Sequence, residues 1–364
     1  MTLAIIAALS LAAWVYLFTA RGGFWNIQLP PPPAPAPARV VSVIIPARNE
    51  ESVVRQAITS LRPMHVTLVD DHSSDRTTAI ALDAGATVIE AGPLPPGWSG
   101  KIWAISEGLK HAGPIAPDYW LFTDADIVHG PGTVAELIAR AEAEGLDLVS
   151  LMVKLRCRSL AETLLIPAFV FFFFMLYPPA WVARRDRRTA AAAGGCILIR
   201  PNALERIGGI ESIRGEIIDD CALARAVKRS GGRIWLGITG DTRSIRDYGT
   251  FAEIRGMISR TAFAQLRHSA LLLLGTILGM AVIYLAPPLL IFTQNALAAF
   301  FGFAAWILMI IVYAPALRFY GRSVAWAPLL PLVALFYMAA TLESAFSYWT
   351  GRGGHWKGRV QDAR

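Results

Sequence analysis

The chain is poor in charge and in cysteine. Only 17% of its 364 residues are Asp, Glu, Lys or Arg, whereas 54% are hydrophobic; soluble domains average about 25% charged residues. This balance argues against an entirely soluble protein and excludes a disordered chain. The three cysteines, Cys157, Cys196 and Cys221, have neither the number nor the spacing of a disulfide framework or a metal ribbon, so we expect ordinary core thiols in a reducing compartment.

Several common motifs are also missing. No G-x-G-x-x-G follows a strand pattern, no G-x-S-x-G occurs, and GWSGKIWA at 97–104 lacks the glycine spacing of a P-loop. These absences argue against a nicotinamide dehydrogenase and a hydrolase, although Lys101 could still contact a phosphate. The net charge of +7 comes without zinc-finger spacing, so we expect a membrane surface rather than nucleic acid as the partner.

Long apolar runs are abundant at the start of the chain. Residues 1–21 predict an uncleaved transmembrane anchor, because the run of twenty residues lacks the basic start of a signal peptide. Arg21 would mark the cytoplasmic end of this anchor. Residues 22–39 predict a Pro-rich linker, a stiff polyproline II spacer that holds the following domain away from the membrane.

Residues 269–348 predict C-terminal membrane helices. The runs 269–292 and 296–317 are two strong spanning candidates, and a third run, 324–342, is interrupted by two prolines. The basic tail, 349–364, favours a cytoplasmic end, which two full crossings and a Pro-broken re-entrant or interfacial third run would satisfy. Three full crossings, with the tail outside, are the alternative.

Residues 40–268 predict a soluble α/β domain. Buried strand patterns alternate with helices of about ten residues, which predicts a mostly parallel, Rossmann-like sheet with helices on both faces. Ligands of such sheets bind at the carboxyl ends of the strands, so the polar residues there are the candidate site. The predicted strands are 40–45, 66–69, 87–90, 119–123 and 148–153.

Two pairs of carboxylates carry the candidate chemistry. Asp124 and Asp126 follow a strand pattern on one side of the chain, and such oxygen ligands suit Mg²⁺ or Mn²⁺, which can neutralise a leaving diphosphate. His129 is a further candidate ligand, with a surface histidine at a helix start as the alternative. Asp219 and Asp220 begin an amphipathic helix, where they either complement the helix dipole or supply a general base for an acceptor hydroxyl.

An uncharged, Phe-rich segment lies between these pairs. Leu164–Val182 would be transmembrane by hydropathy alone, but one crossing would put the two carboxylate pairs on opposite sides of the bilayer. We therefore expect 164–188 to be an interfacial or re-entrant helix whose aromatics enter the acyl boundary and whose arginines meet anionic headgroups. A hydrophobic helix buried within the domain is the alternative.

The ordered set of motifs over residues 40–268 resembles the family 2 glycosyltransferases of the GT-A fold. The matching stretches are VSVIIPARNEE, VDDHSSDRT, GKIWA, the D-x-D of Asp124 and Asp126, AAAGGCILIRPNALERIGG and IDDCALA. The whole layout, including the tail HWKGRV, is similar to the membrane-bound hopene-associated glycosyltransferases of bacteria.

This resemblance implies inverting, metal-dependent transfer of a single sugar from a nucleotide-diphosphate sugar, foremost a UDP-sugar, to a membrane lipid hydroxyl in hopanoid biosynthesis. It also implies a multi-pass protein of the bacterial inner membrane with a cytoplasmic catalytic domain. Transfer to a carotenoid, glycolipid or polyprenyl phosphate is the alternative within enzymes, and a catalytically silent scaffold of a lipid-synthesis complex is the alternative outside them.

Roles for individual residues follow from the same resemblance. Asp220 would be the catalytic base, and Asp124 and Asp126 would hold ribose and the metal–diphosphate. Lys101 would join the nucleotide-sugar site, in which the nucleoside pocket is formed by Pro46, Arg48, Glu50 and Asp71. The acceptor site would contain Gly194, Gly195 and Asp219.

Arg260 stands where processive polysaccharide synthases carry Q-x-x-R-W. It would pair with the diphosphate as a charge-assisted donor, or else anchor the chain beside the membrane. The Gln and Trp of that motif are missing here, which argues against processive polymer synthesis.

Overall fold

The computed structural model describes residues 1–111 and 116–353, together with the backbone of 355–356 and 359–360. Of the predicted basic tail, 349–364, residues 354, 357–358 and 361–364 lie outside the described residues. The strands are β1 (Val41–Ala47), β2 (His65–Asp70), β3 (Thr87–Glu90), β4 (Tyr119–Phe122), β5 (Ile127–Val128), β6 (Leu148–Lys154), β7 (Ile197–Ile199), β8 (Ile234–Ser244), β9 (His355–Trp356) and β10 (Arg359–Val360).

The α-helices alternate with the strands in the middle of the chain and follow one another towards its end. They are α1 (Thr2–Thr19), α2 (Val54–Ser60), α3 (Thr77–Asp83), α4 (Gly100–His111), α5 (Thr133–Glu144), α6 (Leu160–Leu176), α7 (Pro179–Val182), α8 (Pro201–Arg206), α9 (Asp219–Arg229), α10 (Phe251–Gln265), α11 (Ala270–Met280), α12 (Ala286–Leu290), α13 (Ala296–Phe319) and α14 (Leu330–Trp349).

The described chain divides into two compact units. The sheet unit contains Leu29–Arg156, Trp181–Asp247 and His355–Arg364, and the helical unit contains Met1–Gln28, Cys157–Ala180 and Tyr248–Gly354. The boundaries predicted from the sequence differ from this division at 157–180 and 248–268, which group with the apolar helices.

Within the sheet unit, β1 to β8 form one mixed sheet in the order β3-β2-β1-β4-β7-β6-β8-β5. β1 is parallel to β2 and to β4, so the carboxyl ends of these three strands lie at one edge. β7 is antiparallel to both of its neighbours. The five predicted strands coincide with β1, β2, β3, β4 and β6, whereas the sequence patterns do not predict β5, β7 or β8.

The core of the sheet is tight where α4 crosses it. All seven residues of β1 are buried, as expected of a strand covered on both faces. Gly108 of α4 lies directly over β1 and β2, and a Cβ atom at this position would be 2.8 Å from Ile44 Cγ2 and 2.9 Å from Val69 Cγ2. Only a glycine therefore allows the helix this close to the sheet.

The Pro-rich linker is in contact with the sheet unit. The guanidinium of Arg140 donates a 2.7 Å hydrogen bond to Pro31 O, and Ala36 packs against the hydrophobic core. Residues 31–36 are therefore attached to the domain that follows them. Their role as a spacer between that domain and a membrane stays a prediction.

Among the described residues, five helical segments are long and apolar enough to span a membrane. The run predicted to be broken by Pro328 and Pro331 is among them. Pro328 lies in the short 3₁₀ helix Val324–Leu329, and Pro331 lies in the first turn of α14, where its missing N–H removes no helical hydrogen bond. α14 is 20 residues long. The five segments are Thr2–Thr19, Leu160–Val182, Ala270–Leu290, Ala296–Phe319 and Val324–Trp349.

The Phe-rich helix α6 packs inside the helical unit. Phe171 and Phe174 are buried, and the ring of Phe171 lies 5.3 Å from that of Tyr313 in α13. The ring of Phe172 lies 4.8 Å from that of Tyr337 in α14. These contacts differ from the expectation that the phenylalanines face acyl chains; the position of 164–188 at a membrane interface stays a prediction.

Replacing Gly108 by alanine tests the close approach of α4. We expect Gly108→Ala to cost about 1–3 kcal/mol, because the added methyl group overlaps two core side chains. The measurement is the apparent melting temperature of the purified protein. Gly256→Ala in α10 is the matched control, since a Cβ there has nothing within 4 Å and alanine is the better helix former. An unchanged melting temperature for Gly108→Ala would contradict the packing described.

Candidate active site

The loops that follow β1 and β2 bind each other. Arg48, just after β1, donates from Nη1 to Asp71 O at 2.6 Å and lies 3.4 Å from Asp71 Oδ2. Asn49 has a φ of 53°, a conformation that asparagine tolerates, and its Oδ1 accepts a 2.8 Å hydrogen bond from Ser74 N. The structure thus brings Arg48 and Asp71, two of the predicted nucleoside-pocket residues, together at the carboxyl edge of the sheet.

Arg246 joins two further carboxylates at the same edge. Its Nη2 lies 2.6 Å from Glu50 Oε1 and its Nε lies 3.2 Å from Asp126 Oδ2, while Ser244 Oγ donates to Asp126 Oδ2 at 2.6 Å. Glu50 and Asp126 are both buried, and buried carboxylates require a cationic or hydrogen-bonding partner. Sequence reasoning missed Arg246 because it follows β8, a strand that the pattern does not predict.

Lys101 is the centre of a second charged cluster. It lies in the first turn of α4, and its Nζ is 2.8 Å from Asp124 Oδ1 and 3.5 Å from Asp219 Oδ2. Burial alone would lower the pKa of Lys101, but the charges of Asp124 and Asp219 outweigh it and raise the pKa above its ordinary value. The side chain is therefore a permanent cation between the end of β4 and the start of α9.

Asp220 lies beside this cluster with its carboxylate held by the backbone. Oδ2 accepts a 2.9 Å hydrogen bond from Gly194 N, and Oδ1 accepts one of 2.7 Å from Cys221 N. Burial and the neighbouring charge of Asp219 raise the pKa of Asp220, whereas Lys101 and the two N–H donors oppose the rise. Asp220 is thus a fixed carboxyl group that accepts a proton more readily than an ordinary aspartate does.

The two predicted glycines have different surroundings. A Cβ on Gly194 would lie 3.0 Å from Lys101 Nζ and 3.4 Å from Asp220 Oδ2, so glycine lets the backbone reach the charged cluster. A Cβ on Gly195 would instead meet Val153 Cγ2 at 3.1 Å. Gly194 therefore belongs to the cluster, and Gly195 is packed against the sheet.

A cavity lies against the charged cluster. Its polar wall combines side chains from three places in the sheet unit, and most of its remaining lining is apolar. Sequence reasoning predicted most of the polar lining but did not single out Thr123. The polar lining consists of Lys101, Thr123, Asp219 and Asp220, with Pro46 and Gly194 beside them.

His129 is neither a surface histidine nor part of a ligand cluster. It is only 4% exposed, and its Nε2 lies 2.9 Å from Thr123 Oγ1, which in turn donates to Gly195 O at 2.8 Å. Burial lowers the pKa of His129 to about 4, so the ring is neutral at physiological pH. Over the described part of the chain, no three His, Cys, Asp or Glu side chains are grouped as a metal site.

Two carboxylates remain as ligands for a divalent ion. Mg²⁺ is commonly held by one or two carboxylates together with substrate phosphates, so a cluster of three protein ligands is not required. Asp124 fits this pattern, because its side chain is 37% exposed beside Lys101. Asp126 is less accessible, since its side chain is 10% exposed and already accepts from Ser244 and Arg246.

Arg260 belongs to the helical unit. It lies exposed on α10, on the part of the chain that aligns with Q-x-x-R-W. Its pairing with a diphosphate stays a prediction.

Comparison with known proteins adds a family and a fold. Residues 42–208 match the family described as Glycosyl transferase family 2. An alignment over 134 residues, which covers 34% of this chain, is 32% identical to 4,4'-diaponeurosporenoate glycosyltransferase of Staphylococcus aureus strain bovine RF122 / ET3-1. The same enzyme of strain MRSA252 is 31% identical. The matched stretch spans about a third of the length of these relatives, 32%.

A solved structure resembles nearly the whole chain. The mannosyltransferase PcManGT from Pyrobaculum calidifontis, in complex with GDP-Man and Mn²⁺, superposes with a TM-score of 0.55 and covers 95% of this chain and 99% of its own. The identity is 17%, so the likeness shows the fold. The chain therefore has the GT-A fold predicted from the sequence, and residues 42–208 are similar to glycosyl transferase family 2 domains.

Removing the central cation tests the charged cluster. We expect Lys101→Met to destabilise the protein by roughly 2–3 kcal/mol at about pH 8, since three neighbouring carboxylates lose their cation while keeping some solvent contact. The deficit should shrink towards about pH 5, because Asp220, whose pKa is raised in the folded state, is then protonated.

The measurement is the apparent melting temperature across this pH range. Lys110→Met is the matched control, because Lys110 lies on the same helix in an exposed pair with Glu107. A deficit that is independent of pH, or equal in both variants, would contradict the role given to Lys101.

Proposed function

We propose that the protein transfers a single sugar from a nucleotide-diphosphate sugar to a membrane lipid hydroxyl, with inversion at the sugar carbon. The observation that carries this proposal is one cavity lined by Lys101, Asp219 and Asp220, with Asp124 bound to Lys101 beside it. Part of the cavity lining, Lys101 included, lies within residues 42–208, which match glycosyl transferase family 2. These side chains supply the two things such a transfer needs, which are charge stabilisation for a diphosphate and a base for the acceptor.

The donor would bind along the carboxyl edge of the sheet. Pro46, Arg48, Glu50 and Asp71 form the proposed nucleoside pocket, and the contacts of Arg48 with Asp71 and of Arg246 with Glu50 hold that pocket in shape. Asp124, with Asp126 as the second candidate ligand, would hold Mg²⁺ or Mn²⁺. The ion would neutralise the leaving diphosphate. Support for this donor class comes from the GDP-Man and Mn²⁺ of the superposed mannosyltransferase; a UDP-sugar is our expectation.

Asp220 is the proposed base. As the acceptor oxygen forms its bond to the sugar carbon, the bond from that carbon to the diphosphate oxygen breaks, and the acceptor proton passes to the Asp220 carboxylate. A single displacement of this kind inverts the sugar carbon. The raised pKa of Asp220 suits this role, because a base works best when its pKa is near the operating pH.

The acceptor is proposed to be a polyisoprenoid-type lipid. Five candidate membrane spans accompany the transferase domain in the described chain, which is expected when the acceptor is dissolved in a bilayer. The relatives named for diaponeurosporenoate favour a carotenoid-type acceptor, whereas the sequence layout favours a hopanoid. We place the catalytic domain on the cytoplasmic side of the bacterial inner membrane, since the residues flanking the apolar segments are basic.

Transfer can be measured directly with membranes that contain the full chain. We expect labelled sugar from a UDP- or GDP-sugar to enter the lipid fraction in the presence of Mn²⁺ or Mg²⁺, and EDTA to stop it. Asp220→Asn should lower the rate by about 10²–10⁴-fold, which is the usual contribution of a general base to the rate. Asp83→Asn, an exposed aspartate paired with Arg55, is the matched control.

The lipid product, identified by mass spectrometry, decides between a hopanoid and a carotenoid-type acceptor. An unlabelled lipid fraction with every donor would favour the silent scaffold, and full activity of Asp220→Asn would exclude Asp220 as the base.

The pH profile tests the environment of the base. Because burial and the charge of Asp219 raise the pKa of Asp220, we expect the acidic limb of kcat/KM to lie above the ordinary aspartate value of about 4. In Asp219→Asn the limb should move to lower pH, since the loss of a negative neighbour favours the ionised form. A limb that stays in place would show that another group limits the rate at acidic pH.

A further inference from the structure

Four arginines lie together on one exposed loop of the sheet unit. Residues 183–188, which we call the arginine loop, read Ala-Arg-Arg-Asp-Arg-Arg, and all six are exposed. Four guanidinium groups against one carboxylate give the loop a strong positive charge. The transfer chemistry proposed above does not use any of these residues.

One lysine, Lys228, donates hydrogen bonds to the backbone at both ends of the arginine loop. Lys228 of α9 donates from Nζ to Val182 O and to Thr189 O, both at 2.6 Å, and to Trp181 O at 3.3 Å. Burial lowers the pKa of Lys228, yet three carbonyl acceptors satisfy all three of its protons. The two ends of the loop are thus joined through a partly buried ammonium group.

Two further contacts fix side chains of the loop. Asp186 accepts from Arg184 Nε at 2.9 Å and from Arg184 Nη2 at 2.6 Å, and the Arg187 guanidinium lies 5.0 Å from the ring centroid of Trp181. Pre-ordered guanidinium groups lose less entropy when they bind phosphate oxygens, which they match in a two-pronged geometry.

The chain position of the loop indicates which phosphate it meets. The arginine loop begins directly after Leu160–Val182, one of the candidate membrane spans. Arginines next to the end of an apolar helix lie at the level of lipid headgroups, where the surface potential of anionic lipids attracts them. Binding of a soluble anion would not require the arginines to lie next to a candidate membrane span.

We propose that the arginine loop, closed by Lys228, is a binding site for the phosphate headgroups of anionic phospholipids. The loop would hold the sheet unit against an acidic membrane surface. This inference is independent of the proposed function, because it requires neither a sugar donor nor transfer.

The test uses trypsin, which cleaves after exposed arginines. The full-length protein is placed in nanodiscs of phosphatidylcholine alone or of phosphatidylcholine mixed with phosphatidylglycerol, and cleavage after the loop arginines is followed by mass spectrometry. We expect the anionic lipid to slow cleavage in the loop by about tenfold or more, while cleavage after the exposed Arg55 is unchanged and serves as internal reference. High salt should restore cleavage.

Two variants separate the parts of the proposal. Arg185→Gln with Arg188→Gln leaves Arg184 and Arg187 as cleavage sites and should lose most of the protection without a change in melting temperature. Lys228→Met should weaken the protection by opening the loop, whereas Lys110→Met, at an exposed lysine, should not.

Three results would overturn the inference. They are equal cleavage in the two lipid compositions, equal protection in phosphatidylcholine discs by inorganic phosphate, and full protection of the double arginine variant. Full protection of a folded Lys228→Met variant would remove the lysine from the site. None of these outcomes bears on sugar transfer, which is measured separately.

Discussion

The arrangement of the candidate active site depends on one partly buried cation. Lys101 reaches Asp124 at the end of β4 and Asp219 at the start of α9, and its charge also acts on Asp220. Without a positive charge between them, these three neighbouring carboxylates would repel one another. The lysine therefore holds the end of β4 and the start of α9 together, and Gly194 allows it the room to do so.

The same constraint explains the rest of the carboxyl edge. Asp126 and Glu50 are buried carboxylates, and each of them is compensated by Arg246; Asp71 is buried and lies beside Arg48. Buried acids of this kind are tolerated only with such partners, whose positions consequently become part of the site. The polar residues predicted at the carboxyl ends of the strands thus lie in charged groups around Lys101, Arg246 and Arg48.

Sequence reasoning found the acidic residues and missed some of their partners, for a physical reason. The strands β1, β2 and β4 are runs of buried apolar residues, so their ends and the acids after them could be located from the pattern. β8 alternates less regularly, and Arg246 lies 196 residues from its partner Glu50. A pairing over such a distance is set by the fold and leaves no local signal. His129 is the opposite case, in which a local pattern was present but misleading. Its position three residues after Asp126 suggested a metal ligand, whereas its ring is hydrogen-bonded to Thr123.

Lysine fits position 101 better than arginine would. Its ammonium group is a compact charge with three donors, so it can face carboxylates that approach from different directions. The backbone of Gly194 also passes so near that a Cβ there would lie 3.0 Å from Nζ, which leaves little room for a wider head group. Gly194 and Lys101 are thus fitted to each other. Both also act on Asp220, because the charge of Lys101 and the hydrogen bond from Gly194 N limit the rise in its pKa that burial and Asp219 cause.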